Sequence, residues 1–279
     1  MTTQTAQGAA ADERIDEASR WWSTSIIDIE PGKIGIRGYP IQDLIGRISF
    51  AQMIWLMLRG TLPDEAQARL FEAALVSAVD HGPHAPSIAI SRMAISCGVD
   101  LNGAVGSAVN VLGDIHGGAG QQCMTLYRDC RARTGQGTGD PIQQALDAYR
   151  AEHGKIVPGF GHRFHPRDPR ATRLLALVDE AVATGVVTGE FAAIGRRIEV
   201  VLEREKGRHI PMNIDGATAV IYSELGFAPE LGRGIFLLSR SVGILAHAWE
   251  QMQEGRRIKG PMPPSIPYAY TGPKTGTVK

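Results

Sequence analysis

The segment GIFLLSRSVGILAHAWEQM, residues 234–252, is apolar on nearly every side of a helix. A water-soluble chain tolerates such a helix only where other protein surrounds it, in a core or at a subunit interface. The feature therefore predicts a large helical core, an oligomer, or both. Arg240 lies inside this segment, and a guanidinium taken out of water needs an anionic partner. Two partners fit equally well at this level: a carboxylate of the protein, within the chain or across a dimer interface, and a carboxylate of a bound substrate.

The rest of the chain supplies material for such a core. Its 279 residues are 43% apolar, enough for one large domain or two modest ones. The most apolar window, FAQMIWLMLRG at 50–60, has about half the length a membrane-spanning helix requires, so no membrane is expected as a partner. Lys plus Arg, at 29, equals Asp plus Glu, at 29, so no global field attracts nucleic acid, and a small-molecule partner is expected. Cys97, Cys123 and Cys130 show no CxxC spacing, which argues against a disulfide framework or a thiolate zinc site and fits a reducing cytoplasm. The opening residues, MTTQTAQGAAADERIDE, have neither a basic start nor an apolar run, so a loose tail is expected rather than a secretory signal.

Ile27, Ile29, Ile34 and Ile36 alternate with other residues around Pro31-Gly32, the pattern of a short β-hairpin. Helical signals follow. Ser49 and Gln52 form a capping box before an apolar run, with Gly60 and Pro63 as stop signals. Ile194, Ile198, Val201 and Leu202 recur at helical spacing with Arg196, Arg197, Glu199 and Glu203 between them, predicting an amphipathic helix with a purely structural role. TGQGTGDP at 134–141 reads as an exposed loop, and no internal repeat is evident. The expected fold class is all-α, mainly helical, with one short N-terminal hairpin.

Three segments combine glycine with a histidine or an acid in ways that helix packing does not explain: LGDIHGGAG, PGFGHRFHPRDPR and PMNIDGATA. His116 precedes Gly117, Gly118 and Gly120, where backbone can approach a ligand closely; the alternative is a histidine placed at a helix C-terminus by the dipole. His162 lies among glycines beside Arg163, Arg167 and Arg170, a cationic group suited to carboxylates or phosphates, or else a solvated basic loop. Asp215 stands at a helix start, where an N-cap is the ordinary role for aspartate. Two H-x-x-H pairs, His81 with His84 and His162 with His165, raise a metal-dependent hydrolase as a rival, although neither has the i,i+4 helical spacing of a zincin. His247 reads as a satisfied core histidine. Neither a Walker loop nor a GxGxxG fingerprint is present, which leaves nucleotide phosphotransfer and dinucleotide redox chemistry unsupported.

The order of these motifs, His116, then GHR with DPR, then N-x-D, resembles the citrate synthase superfamily. The similarity extends over nearly the whole chain, from KIGIRGYPIQDLIGRISFAQMIWLMLRGTLPDEAQ to SRSVGILAHAWEQ. It implies a catalytic trio of His116, His162 and Asp215: the aspartate as base on the acetyl-CoA methyl, the first histidine at the thioester oxygen, and the second at the keto-acid carbonyl. A methyl proton beside a thioester is very weakly acidic, so base and oxyanion stabiliser must act together away from water. The resemblance further implies that Arg170 and Arg240 bind substrate carboxylates. By the same resemblance Ile156, Val157, Pro158, Gly159, Phe160 and Gly161 contact coenzyme A, the acyl carrier, and no metal is needed. It also implies a homodimer or an assembly of dimers. A large helical domain, 12–118 with 226–279, would be joined to a smaller helical domain, 119–225, that closes over the active site.

Two departures bear on the reaction. Citrate synthases carry Arg-Pro shortly before a C-terminal Tyr-x-Gly, whereas IKGPMPPSIPYAYTG has Gly260 before Pro261. The histidine expected about ten residues beyond Asp80-His81 is replaced near Ala89, leaving His84 or Arg92 to compensate. The run DHGP…GDIHGGAG is more similar to citryl-CoA lyase modules. The expected activity is therefore reversible cleavage of citryl-CoA, or a close analogue, to acetyl-CoA and oxaloacetate. The alternatives are citrate synthase, which also hydrolyses the thioester, and a non-catalytic CoA- or carboxylate-binding homologue.

Overall fold

A computed structural model describes residues 15–136, 138–161, 167–258, 265–273 and 276. The chain divides into two compact units, Met1–Glu72 and Ala73–Lys279.

In the first unit, helix α1 (residues 15–21) precedes a three-stranded antiparallel sheet, β1 (Ile27–Glu30), β2 (Lys33–Ile36) and β3 (Tyr39–Pro40), in the order β1-β2-β3. Ile27 faces Ile36 and Glu30 faces Lys33, so Pro31-Gly32 is the two-residue turn expected from the alternation, and β3 adds a strand to the hairpin. A short α2 (Ile41–Leu44) leads to α3 (Phe50–Arg59). The Ser49–Gln52 capping box is present: the Ser49 hydroxyl accepts from Gln52 N at 3.1 Å and Gln52 Oε1 accepts from Ser49 N at 2.8 Å. Gly60 ends the helix in the left-handed conformation. Arg37 ties the sheet to α3 by donating from Nη2 to the Met57 carbonyl at 2.8 Å. Trp55 packs edge-to-face on Phe71 with ring centroids 5.7 Å apart, and Leu56 is fully buried. The boundary at Glu72 falls within α4 (Glu65–Ser77).

The second unit contains α5 (Pro86–Ser96), α6 (Leu101–Asn110), α7 (Ala119–Arg133), α8 (Pro141–His153), α9 (Pro169–Ala183), α10 (Glu190–Lys206), α11 (Ile214–Glu224) and α12 (Pro229–Glu254). The apolar segment 234–252 forms most of α12, whose Ile244 and Ala248 pack on α5 and α6 through Ile88, Ala108, Ile95 and Ala104, and on Leu112 just beyond α6. Each large aliphatic side chain buried there stabilises the fold by about 1.5–3 kcal/mol. On its other side α12 leaves Leu238, Val242, Leu245 and Trp249 exposed, each about half accessible, so only one face of this apolar helix lies in the core of the single chain. Around α11, Met124 and Tyr127 of α7, Ile142 and Leu146 of α8, Ile198 of α10, and Ile221 are fully buried. α10 is amphipathic as the periodicity predicts, burying Ile194, Ile198, Val201 and Leu202. No helix among the described residues is long and apolar enough to cross a membrane. The structure is mainly helical with a small sheet, the expected fold class.

Candidate active site

The turn before α7, the start of α9, the start of α11 and the middle of α12 enclose a cavity of about 200 Å³. Among its lining residues are His81, His116, Arg170, Asp215, Phe236 and Arg240. Four of the residues singled out in the sequence, His116, Asp215, Arg170 and Arg240, therefore meet in one place although they span 125 positions of chain. His162, with His165, lies outside the described residues, as does the stretch 259–264 that contains Gly260.

Asp215 sits in the first turn of α11, but it is not the cap of that helix. The cap is Asn213, whose Oδ1 accepts from Asp215 N at 2.9 Å and Gly216 N at 3.3 Å. The Asp215 carboxyl is thereby released from capping and lines the cavity. Burial pushes its pKa above the ordinary aspartate value; the Arg170 and Arg240 charges oppose the rise without reversing it.

His116 lies in the turn between α6 and α7 rather than at a helix end. Its Nε2 is 3.2 Å from Ser87 N and 3.0 Å from Ser87 Oγ. Ser87 is in the first turn of α5, so an N–H of a helix N-terminus donates to the ring. A nitrogen that accepts this bond carries no proton, which places the ring proton on Nδ1. Burial, then the charges of Arg240 and His81, lower the His116 pKa and keep the imidazole neutral. A neutral ring fixed in one tautomer is a hydrogen-bond donor suited to a developing oxyanion.

The two arginines are held differently. Arg170 forms a two-pronged pair with the fully buried Asp168, Nε to Oδ1 at 3.0 Å and Nη2 to Oδ2 at 2.9 Å. Asp168 also caps α9 by accepting from Arg170 N at 3.0 Å, and accepts from Ile214 N at 3.3 Å, joining the starts of α9 and α11. Arg240 is only 6% exposed, donates from Nε to the Ala78 carbonyl at 3.0 Å, and stacks over Phe236 at 4.9 Å. No carboxylate forms an ion pair with it among the described residues, so the protein anion expected under the structural reading is not found there. Burial lowers its pKa.

The glycine-rich segment 156–161 runs beside the start of α11. Phe160 pairs with Met212 in an isolated antiparallel bridge, Gly161 N donates to Pro211 O at 2.7 Å, and Asn213 N donates to Gly159 O at 2.9 Å. Asn213 Nδ2 closes the link onto Gly161 O at 2.7 Å. This approach requires glycine: a Cβ on Gly159, whose φ is +81°, would lie 2.6 Å from Cys123 Sγ and 2.8 Å from Gly216 Cα. Within the segment Val157 and Phe160 are buried, while Ile156 is 84% exposed. Burial raises the Cys123 thiol pKa far above its ordinary range, leaving a protonated side chain that packs rather than reacts.

Sequence reasoning missed Asp168, Ser87, Asn213 and His81 as parts of this site. Asp168 and Asn213 stood within the quoted DPR and N-x-D motifs, and their cap-forming residue types were the available signal. Ser87 gave none, because its role depends on a turn 29 residues away. His84 is absent from the cavity lining, and Arg92 pairs instead with Glu250 and, at 3.4 Å, with Glu254.

The sequence and the fold have counterparts among known proteins. The family "Citrate synthase, C-terminal domain" matches residues 17–75 and 57–261. The citrate synthase of Haloferax volcanii is 34% identical over 206 residues, which cover 73% of this chain and 52% of that protein. The chain thus spans about half the length of the curated relatives it matches. The citryl-CoA lyase structure from Hydrogenobacter thermophilus superposes with a TM-score of 0.81 at 33% identity, over 92% of this chain and 97% of that one. The ATP citrate lyase of Methanothrix soehngenii, in complex with citrate and coenzyme A, shares the fold with a TM-score of 0.76 at 22% identity, over 90% and 42% of the two chains. With the family model matching most of its length and a solved relative matching almost end to end, the chain belongs to the citrate synthase family.

Proposed function

We propose that this chain catalyses reversible carbon–carbon cleavage of citryl-CoA, or a close 3-hydroxy-3-carboxyacyl-CoA, to acetyl-CoA and oxaloacetate, with coenzyme A as acyl carrier and no metal. The observation that carries the reading is the joint placement of a pKa-raised carboxyl, Asp215, and a neutral imidazole, His116, in one cavity with two guanidinium groups. Arg240 has a buried charge that a substrate carboxylate neutralises. Arg170, braced by Asp168, and His81 supply further contacts for a polycarboxylate.

In the cleavage direction, the citryl hydroxyl gives its proton to His162, a role taken from the family resemblance. The breaking C–C bond leaves its electron pair on the acyl fragment, which becomes the enolate of acetyl-CoA. His116 Nδ1–H donates to the enolate oxygen, and protonated Asp215 delivers its proton to the carbon, forming the methyl group. The raised pKa of Asp215 favours the protonated form this direction needs. Condensation reverses each step. The segment 156–161 is proposed to bind coenzyme A, and its bonds to Asn213 would couple that binding to the base.

The identity to the Hydrogenobacter lyase supports placing cleavage first, and the Haloferax relative favours citrate synthase as the second reading. The division into 12–118 with 226–279, and 119–225 as a closing domain, is part of the proposal, as is cytoplasmic action. So is a homodimer, for which the exposed apolar face of α12 is the support. Purified protein incubated with synthetic citryl-CoA, with products followed by mass spectrometry, tests the reading. Acetyl-CoA and oxaloacetate are expected. Enzyme-dependent citrate with free coenzyme A would favour the synthase, and no turnover would overturn both.

A further inference from the structure

The end of α4 and the segment leading from it to α5 are gripped by α12 at four heights. Ser239 Oγ donates to Leu75 O at 2.5 Å, Arg240 Nε to Ala78 O at 3.0 Å, and Gly243 N to Val79 O at 3.1 Å. A Cβ on Gly243 would collide with that Val79 carbonyl oxygen, so the backbone can lie against the helix only at glycine. The fourth grip is made by side chains: His247 Nε2 lies 3.3 Å from the Asp80 carboxylate. The next residue is His81, which reaches the cavity wall.

The hydrogen-bond roles in the fourth grip follow from its neighbours. His247 Nδ1 is 3.4 Å from Arg92 Nη1, and a guanidinium only donates, so Nδ1 accepts and the ring proton sits on Nε2, directed at Asp80. Arg92 is itself engaged by Glu250 and Glu254, and Glu250 lies 3.8 Å from Nδ1. Asp80 also accepts from Gly82 N at 3.1 Å, so its carboxylate fixes both flanks of His81. Burial alone would raise the Asp80 pKa, but the bonds from Gly82, His247 and the backbone at His81 outweigh it and keep the group ionised.

We infer that Asp80 and His247 form a positioning pair that holds His81 toward the cavity, an inference resting on the reading of that cavity as the keto-acid site. Neither residue lines the cavity, so neither touches substrate; His247 acts through Asp80 and His81, while the Asp80 charge also bears on Arg240, which makes His247→Ala the cleaner test. The pair is a specificity device outside the catalytic trio: it would tune affinity for the carboxylate-bearing substrate without touching it.

Calorimetric binding of oxaloacetate to the full chain tests this in the wild type and in His247→Ala, His247→Gln, Asp80→Asn, His81→Ala and the His81→Ala/His247→Ala double variant. His247→Ala and Asp80→Asn are expected to weaken binding about tenfold, the scale of one hydrogen bond to a charged group. His247→Gln should restore it, because a glutamine amide can donate to Asp80 and accept from Arg92. The double variant should bind no more weakly than His81→Ala alone. Additive losses, or a lowered melting temperature with unchanged affinity, would overturn the inference. If the wild type binds no oxaloacetate, the reading of the cavity fails, and amide hydrogen exchange then decides the positioning claim separately. Faster exchange at 78–82 in His247→Ala, with α12 unchanged, supports it, and unchanged exchange at 78–82 overturns it.

Discussion

The arginines at the middles of α10 and α12 are held in opposite ways. On α10, Arg196 pairs with Asp179 at 2.7 Å and Arg197 with Asp140 at 2.9 Å, each on the surface. On α12, Arg240 is nearly inaccessible and has no carboxylate partner among the described residues. A surface pair contributes little and is replaceable, whereas a buried unpaired guanidinium carries a desolvation cost that the fold alone does not offset. Under the proposed function a substrate carboxylate completes it. The contrast is between residues rather than whole helices, since Arg233, also on α12, pairs with Asp114 as the α10 arginines pair with their carboxylates.

The largest effect expected is at Asp215, the proposed base. Asp215→Asn should lower acetyl-CoA formation by about 10²–10⁴-fold, the range for loss of a general acid–base group, and retention of activity would remove Asp215 from that role. Next comes the contrast itself. Arg240→Met should raise KM for citryl-CoA by about 10²-fold, in line with loss of a buried charge pair, while leaving the melting temperature equal or higher. Arg196→Met should change stability by less than about 0.5 kcal/mol and leave KM alone. If the two substitutions behave alike, the distinction between paired and unpaired arginines fails.

A smaller effect separates stability from function at one residue. The Asp215 pKa is raised on folding, so its favourable contribution is complete below the unfolded aspartate value of about 3.9 and is lost as pH rises through the folded value. Asp215→Asn should therefore melt at or above the wild-type temperature at pH 7, and any gain should vanish near pH 4. The Glu205 carboxyl behaves in the opposite sense. Its hydrogen bonds from Arg150 lower its pKa to about 2, so its contribution is present above the unfolded value and is lost as pH falls toward that number. Glu205→Gln should cost about 1 kcal/mol at pH 7 and nothing near pH 2, read by urea melts.

Features set by near neighbours in the chain were legible without coordinates. The hairpin register follows from isoleucine alternation about Pro31-Gly32, the capping box from Ser49 and Gln52, and α10 from its 3.6-residue period. The third strand was not, since Tyr39–Pro40 is only two residues long and carries no alternation. Of the residues around the cavity, His116, Asp215, Arg170 and Arg240 were singled out as one set by the family resemblance and not by residue type alone, and neither showed how each is held. Asn213 rather than Asp215 caps α11, a choice of two positions that propensity cannot make. The tautomer of His116 depends on a backbone N–H of α5, and the environment of Arg170 on a carboxylate that also reaches Ile214. Those links are tertiary, and no local pattern encodes them. The exposed half of α12 was anticipated only as one of two alternatives, because apolarity on all sides does not say which face meets the chain's own core.

The claim that Asp215 moves a proton at the acyl carbon can be observed without complete turnover, by exchange of the acetyl-CoA methyl protons in D2O with oxaloacetate present, followed by mass spectrometry. Deuterium should enter the methyl group with the wild-type protein and not with Asp215→Asn. Equal incorporation in both proteins would contradict the account.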